Sequence, residues 1–324
     1  MSTQYYIESI AQPSLYDPCP RKMMVYFSLP DSTRIKGLLL LLAGFGGHAQ
    51  SNVFRKMRDK FADEFGLVVV QCNYFGWEFM QEEVKQERPK CFCDMGPVQT
   101  MDNLIALKVV TEYLDEKGIP YDRNNVIAYG FSHGAYLAYM MNAFMPGVLS
   151  SIIDNSAWLY PGWIDNNRLL ITGEQRTEFR YIISEILMDP QIYDIEWLYD
   201  NMENQCNIIS FHGMNDFSIA PIDKKIIFSS KVPKMSIEII GEERVDHKMF
   251  HSAGHGLDAD FLAMFYHAMK KYCTRSDMAK LVFENNDLST DKVDYHIRNE
   301  DGIPILYYEL KVDYDFEQLV RYEA

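Results

Sequence analysis

The sequence predicts an α/β protein, a mostly parallel sheet with helices on both faces, and three observations carry that expectation. Strand-like and helix-like runs alternate along the chain, which implies parallel strands joined by right-handed crossovers. Residues 35–43 and 67–74 are almost continuously apolar, as strands buried on both faces should be. A serine flanked by glycines, Gly130-Phe131-Ser132-His133-Gly134, stands between a strand and a helix of small residues.

In chain order, residues 5–10 and 22–29 read as half-buried strands, flanked by the turn-prone Gln12-Pro13 and Pro30-Asp31-Ser32. The buried strand 35–43 follows. Residues 52–65 place Val53, Phe54, Met57, Phe61 and Phe65 at helical spacing. After the strand 67–74, residues 76–96 read as a loop, and 98–117 as a long helix. Strand 125–129, helix 134–144 and strand 148–153 repeat the alternation, then strands 207–211 and 235–240 and an amphipathic helix over 258–272. Two regions fall outside it. Residues 157–206 form an aromatic-rich insertion. Residues 279–324 form a tail in which 295–298 turns at Asn299-Glu300-Asp301-Gly302 into 303–312 as a hairpin. The division expected is one domain over 1–278 and an extension over 279–324.

The 324 residues are 48% hydrophobic and 24% charged, which excludes disorder and low complexity and allows a large core. The longest apolar runs, such as 37–45, fall well short of the roughly 20 residues that span a bilayer, so no membrane span is expected. The first ten residues lack a basic stretch followed by an apolar one, so no signal peptide is predicted. A net charge of −15, from 31 basic and 46 acidic residues, repels phosphate backbones and argues against nucleic acid. Six scattered cysteines read as reduced thiols, and with no leader they predict a cytoplasmic protein. Cys91 and Cys93 are the only close pair, and no second pair follows to complete a zinc set. No metal and no cofactor are expected.

Chemistry concentrates at Ser132. A serine hydroxyl is a poor nucleophile, and a tight strand-to-helix turn both exposes it and sets it beside the unpaired amides of a helix N-terminus. Glycines two residues to either side let strand and helix approach. On these residues the chain resembles the α/β-hydrolase superfamily, whose order is nucleophile, acid, histidine. Downstream, His212-Gly213-Met214-Asn215-Asp216 with Pro221 resembles the acid turn of dienelactone-hydrolase-like and prolyl-peptidase-like members. That match gives Asp216 the acid role, and Asp154, ending the preceding strand, is the second candidate. Ala253-Gly254-His255-Gly256-Leu257 resembles the superfamily's Gly-His-Gly run before the last helix, which makes His255 the general base, with His251 as alternative. The spacing of His247, His251 and His255 by four suits a metal-binding helix face, but Ser252-Ala253-Gly254 is poor helix. His133 would lend its backbone amide and not its ring; His48, His212, His267 and His296 read as surface or packing residues.

The resemblance also implies an oxyanion hole from the amide after the nucleophile, that of His133, and one from the loop Ala43-Gly44-Phe45-Gly46-Gly47-His48, matched to Phe45. Ala43 departs from the histidine often found there and leaves that amide uncertain by one residue. The implied architecture is an α/β-hydrolase sheet with a lid inserted after the sixth strand and a C-terminal β-hairpin extension. The implied activity is that of a serine hydrolase acting on a small-molecule ester, thioester or amide through an acyl-serine. A serine-triad O-acyltransferase is the alternative, on a second likeness to enzymes of bacterial glycan modification, and a non-catalytic binding protein is another. The chain is similar in overall character to bacterial members of the superfamily that have no assigned function. Lid aromatics Trp158, Tyr160, Trp163, Phe179, Tyr181, Tyr193, Trp197 and Tyr199 either face substrate or form the lid's own core. Arg168, Arg176 and Arg180 are candidates to meet a substrate carboxylate, beside a simpler reading as solvated charges. Phe75, Trp77 and Phe79 are candidates for a second wall of the pocket. The tail hairpin is expected either over a sheet edge or between subunits of a homo-oligomer.

Overall fold

The computed structural model describes residues 1–32, 34–77, 92–165, 168–172, 175–179, 183–278 and 280–319. Six strands lead the chain: β1 (Thr3–Ala11), β2 (Arg21–Leu29), β3 (Leu38–Leu42), β4 (Val68–Cys72), β5 (Val126–Phe131) and β6 (Ser151–Asn155). A separate antiparallel hairpin, β7 (Arg168–Thr172) and β8 (Gln175–Phe179), lies in the insertion, and β9 (Asn207–Gly213) and β10 (Met235–Ile240) follow. The central sheet has eight strands in the order β1-β2-β4-β3-β5-β6-β9-β10. From β4 to β10 every pairing is parallel, whereas β1 pairs with β2 and β2 with β4 antiparallel. The link between β1 and β2 is too short for a crossover helix, so these strands return as a hairpin.

The five leucines of β3 show why the sheet is buried on both sides. Leu38, Leu40 and Leu42 enter one apolar core, and Leu39 and Leu41 the other. Helix α1 (Asn52–Phe65) covers the second face, capped by the Ser51 hydroxyl on the Phe54 amide and closed by Gly66 at φ +67°. Helices α2 (Pro97–Glu116) and α3 (His133–Phe144) cover the first face, and both are largely buried. A short helix, α4 (Ile195–Asp200), belongs to the insertion; α5 (Ile222–Lys231) follows β9, and α6 (Phe261–Lys271) closes the second face.

Of the lid aromatics, Tyr193 and Tyr199 are buried and Trp158, Tyr160 and Trp197 pack against the core. Phe79, Arg180, Tyr181 and Cys91 lie outside the described residues, as do the side chains of Trp163, Arg168, Arg176 and Phe179. Cys72, Cys206 and Cys273 are free thiols. No described helix is long and apolar enough to cross a membrane.

The structure corrects the sequence reading in two places. Helix α5 was not expected, because its buried face is Ile222, Lys225 and Phe228 while Ile226 and Ile227 are exposed. A lysine in the apolar stripe and isoleucines outside it blur the helical period. The tail is a three-stranded antiparallel sheet, β11 (Asn286–Ser289), β12 (Val293–Glu300) and β13 (Ile303–Leu310), not a lone hairpin. β11 is four mostly polar residues and carries little strand signal. Its sheet shares the first core through Leu288, Val293, Tyr295, Ile297 and Leu306. Gln12 holds β13 like a neighbouring strand, donating to the Leu306 carbonyl and accepting from its amide at 2.9 and 2.8 Å.

Candidate active site

Ser132 ends β5 and starts α3 at φ +52°, a backbone conformation that costs an L residue about 1–3 kcal/mol. The flanking glycines make the turn sterically feasible. A Cβ at Gly130 would collide with the Ala135 amide, and one at Gly134 with the Leu42 carbonyl. The Ser132 amide donates to the Asn155 carbonyl on the neighbouring β6 at 2.8 Å. The serine is thus held where the sheet's central strands end and the long crossover helices begin.

The other two triad candidates arrive on loops that touch. Gly213 ends β9 without a side chain because a Cβ there would strike the Ala253 carbonyl, and the Asn215 amide donates to that carbonyl at 2.9 Å. Gly256, at φ +74°, lies against the Phe131 ring; its amide donates to the Ser156 hydroxyl at 3.0 Å and its carbonyl accepts from Asn155 Nδ2 at 3.1 Å. Between these anchors His255 places Nε2 2.8 Å from Ser132 Oγ and Nδ1 2.6 Å from Asp216 Oδ2. Asn155 and Ser156 therefore hold the histidine loop, a role sequence reasoning missed although both sit beside Asp154.

Asp216 is buried, which pushes its carboxyl up, yet the His255 hydrogen bond, the Ala220 amide on Oδ1 at 3.1 Å and the proximity of the His255 and His212 imidazoles outweigh burial and hold it below the usual range. An ionised Asp216 only accepts, so Nδ1 of His255 carries the proton and Nε2 is left to accept from the serine hydroxyl. His212 lies beneath this turn, buried, and donates from Nε2 to the Ala220 carbonyl at 2.7 Å. Burial, then the nearby Lys225 charge, lowers its pKa and keeps it neutral.

The alternatives lie elsewhere. Asp154 binds Lys225 Nζ at 2.7 Å and is not bonded to His255. His251 is exposed, with its ring beside that of His247. The His133 ring is buried, bonded to Gln99 Oε1 at 2.6 Å, and desolvation lowers its pKa to about 3. Phe45 lies on the loop after β3, its ring centroid 6.4 Å from that of His133. That loop turns through a Gly47-to-Gly44 hydrogen bond with Gly46 at φ +83°. Its Ala43 carbonyl accepts from the Tyr74 hydroxyl at 3.0 Å.

A cleft of about 670 Å³ opens between the roots of the insertion, the acid turn and the tail. Trp158 and Tyr160 line it with Ser218 and Ile219, and the β11–β12 turn adds Asp291 and Lys292. Trp158 also meets the buried His133 ring edge-on at 5.6 Å, but none of Ser132, His255 and Asp216 lines the cleft. His48, in the same loop, stacks on Trp77 at 5.1 Å. Among the described residues no three His, Cys, Asp or Glu side chains are grouped to hold a metal ion.

Comparison with known proteins agrees with this architecture. The structure is similar to FphF, a fluorophosphonate-binding serine hydrolase of Staphylococcus aureus, at 15% identity and a TM-score of 0.52, over 82% of this chain and 98% of that one. It is similar to the acylaminoacyl peptidase of Pyrococcus horikoshii at 12% identity and a TM-score of 0.52, over 85% of this chain but only 43% of that longer one. Est1E of Butyrivibrio proteoclasticus with ferulic acid bound matches at 13% identity and a TM-score of 0.49, over 77% of this chain and 95% of that chain. The chain has the α/β-hydrolase fold. A family model described as a protein of unknown function (DUF2920) matches residues 89–165, which include Ser132 and Asp154. No curated protein matches the sequence.

Proposed function

We propose that the protein is a serine hydrolase that cleaves an ester, thioester or amide through an acyl-serine. The observation that carries the reading is the unbroken hydrogen-bonded chain Ser132–His255–Asp216 at 2.8 and 2.6 Å. In this reading Ser132 Oγ attacks the substrate carbonyl as its proton passes to His255 Nε2, and Asp216 stabilises the imidazolium. The backbone amides of His133 and Phe45 are assigned to the oxyanion that forms on the carbonyl oxygen. The imidazolium returns its proton to the leaving group. Water, deprotonated by the same nitrogen, then releases the acyl group and restores the serine.

The unit that does this is assigned to residues 1–278, with 157–206 as its lid and 279–324 as an extension. That FphF is described as fluorophosphonate-binding suggests the reagent for a test. A fluorophosphonate probe is expected to label wild type, and neither Ser132→Ala nor His255→Ala, with hydrolysis of a short-chain aryl ester lost in both variants. Wild type that neither labels nor hydrolyses would reject the reading.

A further inference from the structure

The second carboxylate at the strand ends, Asp154, joins the elements that carry the triad. Its Oδ1 accepts from the Ala157 amide at 2.7 Å, and its Oδ2 accepts from the Tyr139 hydroxyl at 2.8 Å, the Ser210 hydroxyl at 2.7 Å and Lys225 Nζ at 2.7 Å. Tyr139 belongs to α3, which follows directly on Ser132. Asp154 itself belongs to β6, whose next two residues anchor the His255 loop. Ser210 belongs to β9, which leads into Asp216, and Lys225 to the first turn of α5, which leads out of it.

We propose that Lys225, held by Asp154, is a positioning residue: its ammonium pins the start of α5 to the end of β6 and so keeps the acid turn where the Asp216 carboxylate meets His255. The proposal rests on the serine-hydrolase reading of the site.

The acid turn is tied directly to α5. The Ile222 amide donates to the Asp216 carbonyl at 2.9 Å, and the Lys225 amide donates to the Pro221 carbonyl at 3.1 Å. A shift of the first turn of α5 therefore moves Asp216 with it. The apolar contacts of this helix include the edge-on packing of Phe228 against Tyr139 and Tyr199, which resists separation but fixes direction poorly. Lys225, only 1% exposed, supplies direction: besides Asp154, its ammonium donates to the Tyr139 hydroxyl at 3.2 Å and the Ala157 carbonyl at 3.4 Å. Stability alone does not account for such a pair, because apolar replacements of a buried ion pair are often neutral or better. What apolar side chains cannot supply is a bond aimed from α5 at one point on β6. After burial, the same ammonium lowers the pKa of His212 beneath Asp216, where Nε2 lies 3.7 Å from Oδ2.

The test compares wild type, Lys225→Met and the double variant Asp154→Asn/Lys225→Met. Three readouts are taken: the fluorophosphonate labelling rate, the far-downfield proton resonance of His255 Nδ1–H, and the thermal midpoint. Lys225→Met is expected to slow labelling at least fivefold, leave KM for a small aryl ester within twofold, and weaken or shift the resonance. The double variant removes the stranded carboxylate, so its midpoint is expected to recover while labelling stays slow. If Lys225→Met does not fold, the double variant decides the question alone. Labelling within fivefold of wild type with an unchanged resonance would overturn the proposal, and so would labelling that recovers in step with the midpoint. If wild type itself does not label, the hydrolase reading fails separately, and the resonance still shows whether Lys225 positions Asp216.

Discussion

Replacing Asp216 by asparagine changes one oxygen for an amide nitrogen, and the surrounding hydrogen bonds decide which way that amide turns. Oδ1 of Asp216 accepts from the Ala220 backbone amide at 3.1 Å, a donor that no rotation removes. The asparagine oxygen must therefore take that side, and its NH₂ must face His255 Nδ1, 2.6 Å away in the wild type. Two donors cannot face each other, so His255 is driven to the tautomer with its proton on Nε2, pointing at Ser132 Oγ. In that form it cannot accept the serine proton. An inverted tautomer of this kind costs about ten-thousand-fold in turnover, or about 5.4 kcal/mol of transition-state stabilisation. The measurement is kcat/KM on a short-chain aryl ester, with the thermal midpoint as a check on folding. A folded Asp216→Asn retaining more than a tenth of wild-type kcat/KM would refute the assignment of Asp216 and of the base it orients.

Other expectations follow from single positions. Gly256→Ala would put a methyl into the Phe131 ring at a backbone φ of +74°, so the His255 loop must move. Both kcat/KM and the midpoint are expected to fall, the latter by about 1–3 kcal/mol of stability, and an unchanged rate would show that the loop position is immaterial. Burial pushes the Asp94 carboxyl up to about 7, against the Ser14 and Leu15 hydrogen bonds and the Arg21 charge. Its folded pKa lies above its unfolded value, so stability is lost as pH rises from about 4 to about 7. Asp94→Asn is therefore expected to stabilise by about 2 kcal/mol or more at pH 8 and by nothing near pH 4, read from urea midpoints; an equal gain at both would contradict the cause. Glu238 runs the other way: burial raises its pKa, but Arg244, His267, Lys271 and Tyr272 together lower it to about 2. Its stabilisation is present above about pH 4.5 and lost as pH falls towards 2. Glu238→Gln is expected to cost about 2 kcal/mol at pH 7, after discounting for its solvated partners, and little at pH 2.

Most of the central sheet was legible because its strands are extreme in composition. Leu38–Leu42 and Val68–Cys72 are buried along their whole length, and such runs admit few other readings. The strand-to-helix turn at Ser132 and the Gly-His-Gly loop were legible because their glycines are required by contact: Gly134 against the Leu42 carbonyl, Gly256 against Phe131. What escaped was structure whose signal is spread over distant residues. β11 exists because β12 lies beside it, and Gln12 clasps a strand almost three hundred residues away. Neither partner carries a local mark of the pairing. The insertion's aromatics illustrate the same limit, since burial of Tyr193 and Tyr199 depends on where α3 and the tail pack.

The choice between Asp154 and Asp216 shows what kind of information separates two equally placed carboxylates. Both lie at or just past the ends of adjacent parallel strands, within the region where Ser132 and His255 arrive. A triad acid must present an ionised oxygen with a lone pair still open to the imidazole N–H. At Asp154 the Ala157 amide takes Oδ1, while two hydroxyls and an ammonium crowd Oδ2. At Asp216 the backbone takes only Oδ1 and leaves Oδ2 to His255. The difference lies in the donors each meets, and the decisive one, Lys225, stands on the helix whose period it disguises. Burying a lysine in an apolar stripe hid α5 from a reading of periodicity, and the same burial leaves Asp154 neutralised. The residue that made the helix illegible is also the one that, in the proposed reading, sets Asp154 apart from the acid.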